Sequence, residues 1–227
     1  MRNAGRRRLT ATSSDWAPRQ YTAGVVEDAA FPERSVRPRL WLVRHGETEW
    51  ARMGRHTGAT DIPLTEAGRA QAEAVARRLA GIPFAAVRSS PRSRALDTAR
   101  LAGFSDRVET DEDLVEWDYG ADEGRTTEEI RAERPGWTIW RNGVRGGEAI
   151  EGVAARADRV IARARGLDGD TLIFAHGHLG RILGARWVGL PPSAGARLAL
   201  STATISVLGW DRETPAISRW NDGVDLD

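Results

Sequence analysis

Cysteine is absent from this chain of 227 residues, which excludes disulfides, thiolate catalysis and Cys-ligated zinc. Lysine is absent too, so all 33 basic residues are arginine; a coding bias accounts for this better than selection for guanidinium chemistry. No run approaches the roughly 20 apolar residues of a membrane span. The formal net charge of +1 gives no basis for nucleic-acid or membrane binding. A hydrophobic content of 41% is slightly low for a packed core, though 9 tryptophans supply bulky apolar area. The length suits one large α/β domain better than two small ones.

Residues 1–38 read differently from the rest. They carry Pro18, Pro32 and Pro38, scattered Ser and Thr, and no sustained period, and are expected to form a mobile extension ahead of a domain spanning 39–227. Seven arginines against Asp15, Glu27, Asp28 and Glu33 make the extension basic and leave the remainder slightly acidic. An untidy or misassigned start is the preferred reading over a basic interaction arm. Arg2, Arg6, Arg7 and Arg8 are followed by no apolar stretch, so no cleaved signal peptide is expected and the cytoplasm is the expected compartment.

From Arg39 onward short apolar runs alternate with helical patterns, the signature of βα units and a mostly parallel sheet. Strands are expected at Leu40–Val43, Phe84–Arg88, Thr171–Ala175 and Thr204–Gly209, with a weaker one at Ala216–Trp220. Thr65 is the expected N-cap of a helix over Glu66–Leu79. Ser90-Pro91 should open another, serine capping and proline at the first helical position, ending near Ala102 before Gly103. Ile150, Val153, Ala157, Val160, Ile161 and Ala164 recur at helical spacing and mark a third. A helix over His178–Val188 and a short one over Thr126–Arg134 complete the pattern.

Four segments carry chemistry. In Leu42-Val43-Arg44-His45-Gly46-Glu47-Thr48 an apolar strand ends in a cation and an imidazole, where open α/β sheets place ligands. In Ser89-Ser90-Pro91-Arg92-Ser93-Arg94-Ala95 a strand gives way to a helix whose first turn holds Arg94, an anion-attracting position; an ordinary surface arginine is the alternative. Thr171-Leu172-Ile173-Phe174-Ala175-His176-Gly177-His178 repeats the strand-to-His-Gly pattern. The histidines fall in two clusters, His45/His56 and His176/His178. Zinc is the rival reading, weakened by the lack of further ligands at suitable spacing. Asp113-Leu114-Val115-Glu116-Trp117-Asp118-Tyr119-Gly120 sets acids beside aromatics, an environment for a proton donor or simply a solvated loop.

Together these segments resemble the histidine phosphatase superfamily, the phosphoglycerate mutase-like family. The resemblance runs from about Arg39 to Trp220 through Arg44-His45-Gly46-Glu47-Thr48, residues 57–65, Ser90 to Thr98, Glu116 and His176-Gly177. It implies a three-layer α/β/α fold with a mostly parallel central sheet. It also implies that His45 is the nucleophile and becomes a phosphohistidine. Such an imidazole can attack phosphorus without a metal, provided its other nitrogen is held, the turn's backbone carbonyl being the expected partner. Arg44, Arg94 and His176 would compensate charge on the equatorial oxygens in place of Mg²⁺. Glu116 would protonate the leaving alkoxide and then activate water, with Asp118 as the fallback acid. Thr57, Gly58 and Gly177 match substrate- or phosphate-contacting turns. His178 stands where mutases carry asparagine and would face the pocket, and His56 would either contact substrate or pack. No cofactor and no metal is implied.

Two departures favour hydrolysis over transfer. The segment from Glu116 to Gly147 is shorter than the mutases' insertion, and Ala51 replaces their asparagine. The wording around Glu116, Ile139-Trp140-Arg141-Asn142-Gly143 and His176 is most similar to actinobacterial broad-specificity acid phosphatases and fungal sedoheptulose-1,7-bisphosphatases. The expected activity is a metal-independent phosphomonoesterase acting on small phosphorylated metabolites, sugar phosphates among them, with Arg55, Arg141 and Arg145 as candidate readers of a second phosphate. A cofactor-dependent phosphoglycerate mutase is the enzyme alternative, and a non-catalytic binding protein on the same fold is the other. The implied partner is the small phosphorylated metabolite, with neither nucleic acid nor membrane; homodimers are common in the family.

Overall fold

A computed structural model describes residues 37–223; all but the last two residues of the expected extension lie outside the described residues. Six strands form one sheet in the order β3-β2-β4-β1-β5-β6. They are β1 (Leu40–Arg44), β2 (Ala86–Ser89), β3 (Val108–Thr110), β4 (Thr171–Ala175), β5 (Ile205–Asp211) and β6 (Thr214–Asp222). The first four are parallel, while β5 runs antiparallel to β1 and β6 antiparallel to β5.

The apolar runs are continuous because both faces of the sheet are covered. In the β1–β4 register Leu42 lies opposite Ile173 and Val43 opposite Phe174. Leu40, Leu42, Ile173 and Ala175 point to one side, where they join Val153 and Ala157 of α6 (Ile150–Arg165) and Leu179, Ile182 and Leu183 of α7 (Gly177–Trp187). Val43, Leu172 and Phe174 point to the other, against Val75 and Leu79 of α2 (Glu66–Leu79) and Ala99 of α3 (Ser93–Ala99). The result is the expected three-layer α/β/α arrangement. Among the described residues no helix is long and apolar enough to cross a membrane.

Several local expectations hold. Thr65 Oγ1 accepts from the Gly68 amide at 3.0 Å, capping α2, and Thr126 with Glu129 forms a capping box at α4 (Thr127–Glu133). The short helices α1 (Glu49–Arg52) and α5 (Ile139–Asn142) flank the region above the strand ends.

Three details differ. α3 begins at Ser93, not Pro91, and Ser90 does not cap it; the Ser93 amide donates instead to the Asp61 carboxylate at 2.9 Å. The helix then widens into a π turn over Arg100–Phe104, with Gly103 at φ 91. β2 starts two residues late, and β3 was not expected at all. Its three residues carry too little apolar pattern to stand out, two of them being exposed at the sheet edge.

Candidate active site

Three adjacent parallel strands deliver residues to one rim. His45 follows β1, Ser90 follows β2 and His176 follows β4. The His45 amide donates to the Ala175 carbonyl and the Ser90 amide to the Phe174 carbonyl, each at 3.0 Å. These bonds prolong the ladder just past the strands and fix the turns against one another.

His45 Nδ1 lies 2.8 Å from the Gly46 carbonyl. A carbonyl only accepts, so Nδ1 carries the proton and Nε2 keeps its lone pair. The expected backbone carbonyl is therefore present. Burial, reinforced by the charges of Arg44 and Arg94, pushes the imidazole well below its ordinary value, and the ring is neutral. The Gly46 amide donates to Thr98 Oγ1 at 3.0 Å, tying this turn to α3.

Arg44 donates through Nη1 to the Leu200 carbonyl at 2.6 Å, while its Nε is buried with no hydrogen-bond acceptor. Buried N–H groups are rarely left unmatched, so this one has capacity for an anion. Gly177 lies against the guanidinium: a Cβ there would sit 3.4 Å from Arg44 Cζ.

Arg94 is fully buried, and its fork is already engaged. Nη2 donates to the Thr57 and Gly58 carbonyls, Nη1 to the Thr60 carbonyl, and Nε to His176 Nδ1 at 3.2 Å. It reaches the site through its charge and through the 57–60 turn it holds, rather than as the free bidentate donor that its helix position suggested. His176, accepting at Nδ1, must carry its proton on Nε2 and gives it to Ser90 Oγ at 2.8 Å. Its ring centroid is 5.3 Å from that of His45. Burial first, then the charge of Arg94, holds its imidazole well below the ordinary value.

Glu116 comes from the loop after β3. Its Oε1 accepts from the Trp117 and Leu179 amides and its Oε2 from the His178 amide, each at 2.9 Å. The Glu116 side chain thus docks on the amino-terminal turn of α7 and satisfies amides that have no partner within the helix.

A cleft of about 340 Å³ opens over these groups. Arg44, His45, Thr57, Glu116, Gly177 and His178 line it, with Arg94 and His176 buried beneath. Gly58 does not offer its amide to a ligand, because Glu123 takes it at 2.9 Å. Asp118 is exposed and accepts from the Gly120 amide, away from the cleft lining. Of the three arginines suggested for a second phosphate, only Arg55 lines the cleft. Arg145 is drawn away to Asp122, and Arg141 is exposed elsewhere.

Arg131 and Arg181 stand at the cleft instead, with Tyr119, Trp137 and Trp140. In a chain so rich in arginine nothing in the sequence separates those two from the rest. Ser90, read as a cap, is the partner of His176. His56 is not simple filler: it lines the cleft beside His178, ring centroids 5.9 Å apart and nearly parallel at 11°. Among the described residues, His, Asp and Glu form no group of three or more suited to a metal ion.

A neutral imidazole with its lone pair free, beside buried guanidinium groups at the ends of parallel strands, has the chemistry of a nucleophilic site for an anion such as a phosphate ester. The chain belongs to the histidine phosphatase superfamily (branch 1), whose family model matches residues 40–223. It is 44% identical over 177 residues to an acid phosphatase of Mycobacterium tuberculosis, covering 76% of this chain and 87% of the relative. It is 39% identical over 189 residues to the sedoheptulose 1,7-bisphosphatase of Saccharomyces cerevisiae, covering 69% of each. A solved structure of an M. tuberculosis open reading frame superimposes with a TM-score of 0.76 at 40% identity, covering 82% of this chain and 98% of that one. A mycobacterial glucosyl-3-phosphoglycerate phosphatase in complex with VO3 gives 0.73 at 31% identity, covering 82% and 100%. The chain is accordingly an enzyme, a phosphatase of this superfamily.

Proposed function

We propose that the enzyme is a metal-independent phosphomonoesterase of small phosphorylated metabolites, sugar phosphates among them, working in the cytoplasm through a phosphohistidine on His45. The observation that carries this reading is the His45 Nδ1–H bond to the Gly46 carbonyl, which leaves Nε2 as a lone pair beside Arg44 in the cleft. Nε2 attacks phosphorus, forming an N–P bond as the ester P–O bond breaks. The electron pair of that bond leaves with the alkoxide, which takes a proton from the Glu116 carboxyl. Glu116 then accepts a proton from water as the water oxygen attacks phosphorus; the N–P bond breaks, and inorganic phosphate and free His45 are restored. Charge on the equatorial oxygens is met by the unmatched Nε–H of Arg44 and the buried charge of Arg94, whose guanidinium His176 holds through Nδ1 while its Nε2–H bonds Ser90. The relatives named acid phosphatase and sedoheptulose 1,7-bisphosphatase support hydrolysis and the substrate class.

The test is phosphate release in EDTA from p-nitrophenyl phosphate, sugar mono- and bisphosphates and 3-phosphoglycerate, for wild type and His45→Ala. Release that survives EDTA and vanishes in the variant is expected, with an acid-labile phosphoprotein trapped only in wild type. Loss of release in EDTA, or isomerisation of 3-phosphoglycerate to 2-phosphoglycerate with little release, would overturn the reading.

A further inference from the structure

His56 and His178 stand side by side in the cleft wall with their second nitrogens fixed by different partners. His56 Nδ1 lies 2.8 Å from the Arg125 carbonyl. A carbonyl only accepts, so Nδ1 carries a proton, and in this tautomer Nε2 is the acceptor. His178 Nδ1 lies 2.7 Å from the Tyr119 hydroxyl. Burial holds the Tyr119 phenol well above its ordinary range, so it keeps its proton. That hydroxyl has no other hydrogen-bond partner among the described residues; if it accepted from His178, its own buried proton would be unmatched. It therefore donates to Nδ1, and the His178 proton sits on Nε2. Burial, with the charges of Arg181 and Arg44, keeps His178 neutral.

We propose that this pair is a hydroxyl-reading subsite, His178 Nε2–H donating and His56 Nε2 accepting, that selects phosphate esters whose carbon skeleton carries a hydroxyl group. The inference rests on the phosphatase reading above and names a feature of its substrate. A carboxylate or phosphate oxygen accepts from His178 but meets the lone pair of His56, and an ammonium group has the opposite fault. A hydroxyl donates and accepts at once. The two rings lie next to one another in the cleft lining, nearly parallel at 11° with centroids 5.9 Å apart, so one substrate group can meet both. The rings are also held in place: Trp137 meets His56 edge-on at 5.7 Å, and Trp140 packs on His178 at 5.3 Å. Their indoles add an apolar wall for the substrate's C–H groups.

The experiment compares kcat/KM for glycerol 3-phosphate and propyl phosphate, which share a carbon chain and differ in hydroxyls. Wild type should favour the glycerol ester by about 10- to 100-fold, the worth of one or two buried hydrogen bonds. His56→Phe and His178→Phe should bring the ratio towards 1. Tyr119→Phe, which frees His178 to move its proton, should lower the ratio partway while keeping the ring. The ratio cancels any general loss of activity, and circular dichroism identifies a variant that has not folded. Independently of any variant, ¹H–¹⁵N correlation spectra of the imidazoles should show opposite tautomers for the two rings. A wild-type ratio near 1, a ratio unchanged in the folded variants, or the same tautomer in both rings would overturn the proposal. So would a preference for propane-1,3-diol bisphosphate that disappears in His178→Phe, since the pair would then read an anion. If wild type released no phosphate from either ester or from p-nitrophenyl phosphate, the phosphatase reading itself would have failed.

Discussion

Glu116 Oε2 accepts the His178 amide at 2.9 Å, so the proposed proton donor is also a cap on the first turn of α7. With Oε1 held by the Trp117 and Leu179 amides, both oxygens are oriented by backbone. Glu116→Gln keeps the shape but removes the proton and sets an NH₂ group against an amide N–H. If Glu116 protonates the leaving group, kcat for alkyl phosphates should fall by about 10²- to 10⁴-fold. The loss on p-nitrophenyl phosphate, whose phenolate leaves without a proton, should be clearly smaller. Equal losses on both substrates would reduce Glu116 to a helix cap.

Three of the four histidines lining or underlying the cleft share one consequence. Burial leads the causes that push His45, His176 and His178 well below the ordinary imidazole value. As pH falls through the unfolded value of about 6.5, the unfolded chain takes up protons that the folded one refuses. This contribution to stability is fully present above about pH 6.5 and declines below it, by up to about 1.4 kcal/mol per pH unit for each group. Urea unfolding across pH 7.5 to 5 should show that decline. The nucleophile meanwhile stays neutral in mild acid, so an NMR titration of the His45 ring should show no protonation at about pH 6.5. A midpoint at or above that value would contradict the burial argument.

Gly46 and Gly68 pack backbone against backbone. A Cβ on Gly46 would lie 2.3 Å from the Gly68 carbonyl oxygen, and one on Gly68 would lie 2.1 Å from the Glu47 carbonyl oxygen. Glycine is needed after His45 because the nucleophile's turn rests directly on α2. Gly68→Ala must push α2 and that turn apart. Overpacking of this kind costs about 1–3 kcal/mol, or a Tm about 2–12 °C lower for a domain of this size. Because the displaced segment carries His45, kcat should fall as well. Differential scanning calorimetry and p-nitrophenyl phosphate turnover check both effects, and an unchanged Tm would show that the helix yields freely.

Elements with a strong period or a clear cap were legible in the sequence. The bounds of α2 follow from Thr65 and its apolar spacing, and those of β4 from five consecutive buried residues. The two His-Gly turns stand out because an apolar run ends abruptly in polar chemistry. What stayed hidden depends on partners far along the chain. Asp61 caps α3 in place of the adjacent Ser90, and local spacing cannot show a carboxylate arriving from another loop. The Arg94 fork, expected to face substrate, is consumed by the carbonyls of residues 57, 58 and 60. Arg131 and Arg181 reach the cleft while Arg141 and Arg145 do not, since Asp122 and the folding of the segment after Glu116 decide which arginines turn inward.

The long-range cap can be separated from the chemistry. Asp61 accepts from both the amide and the hydroxyl of Ser93 at 2.9 Å, while Arg94, one residue further along, is held by other groups. Asp61→Ala removes the partner of α3's first amide and should cost about 1 kcal/mol, lowering Tm by about 2–4 °C. Arg94 keeps its three carbonyl partners and His176, so kcat should stay within about two-fold of wild type. Asp61→Asn, which retains an acceptor oxygen, should recover part of the lost Tm. The opposite pattern, an unchanged Tm with a collapsed kcat, would mean that the carboxylate acts on Arg94 across their 3.9 Å separation. The helix end would then be supported by solvent and Ser90 alone.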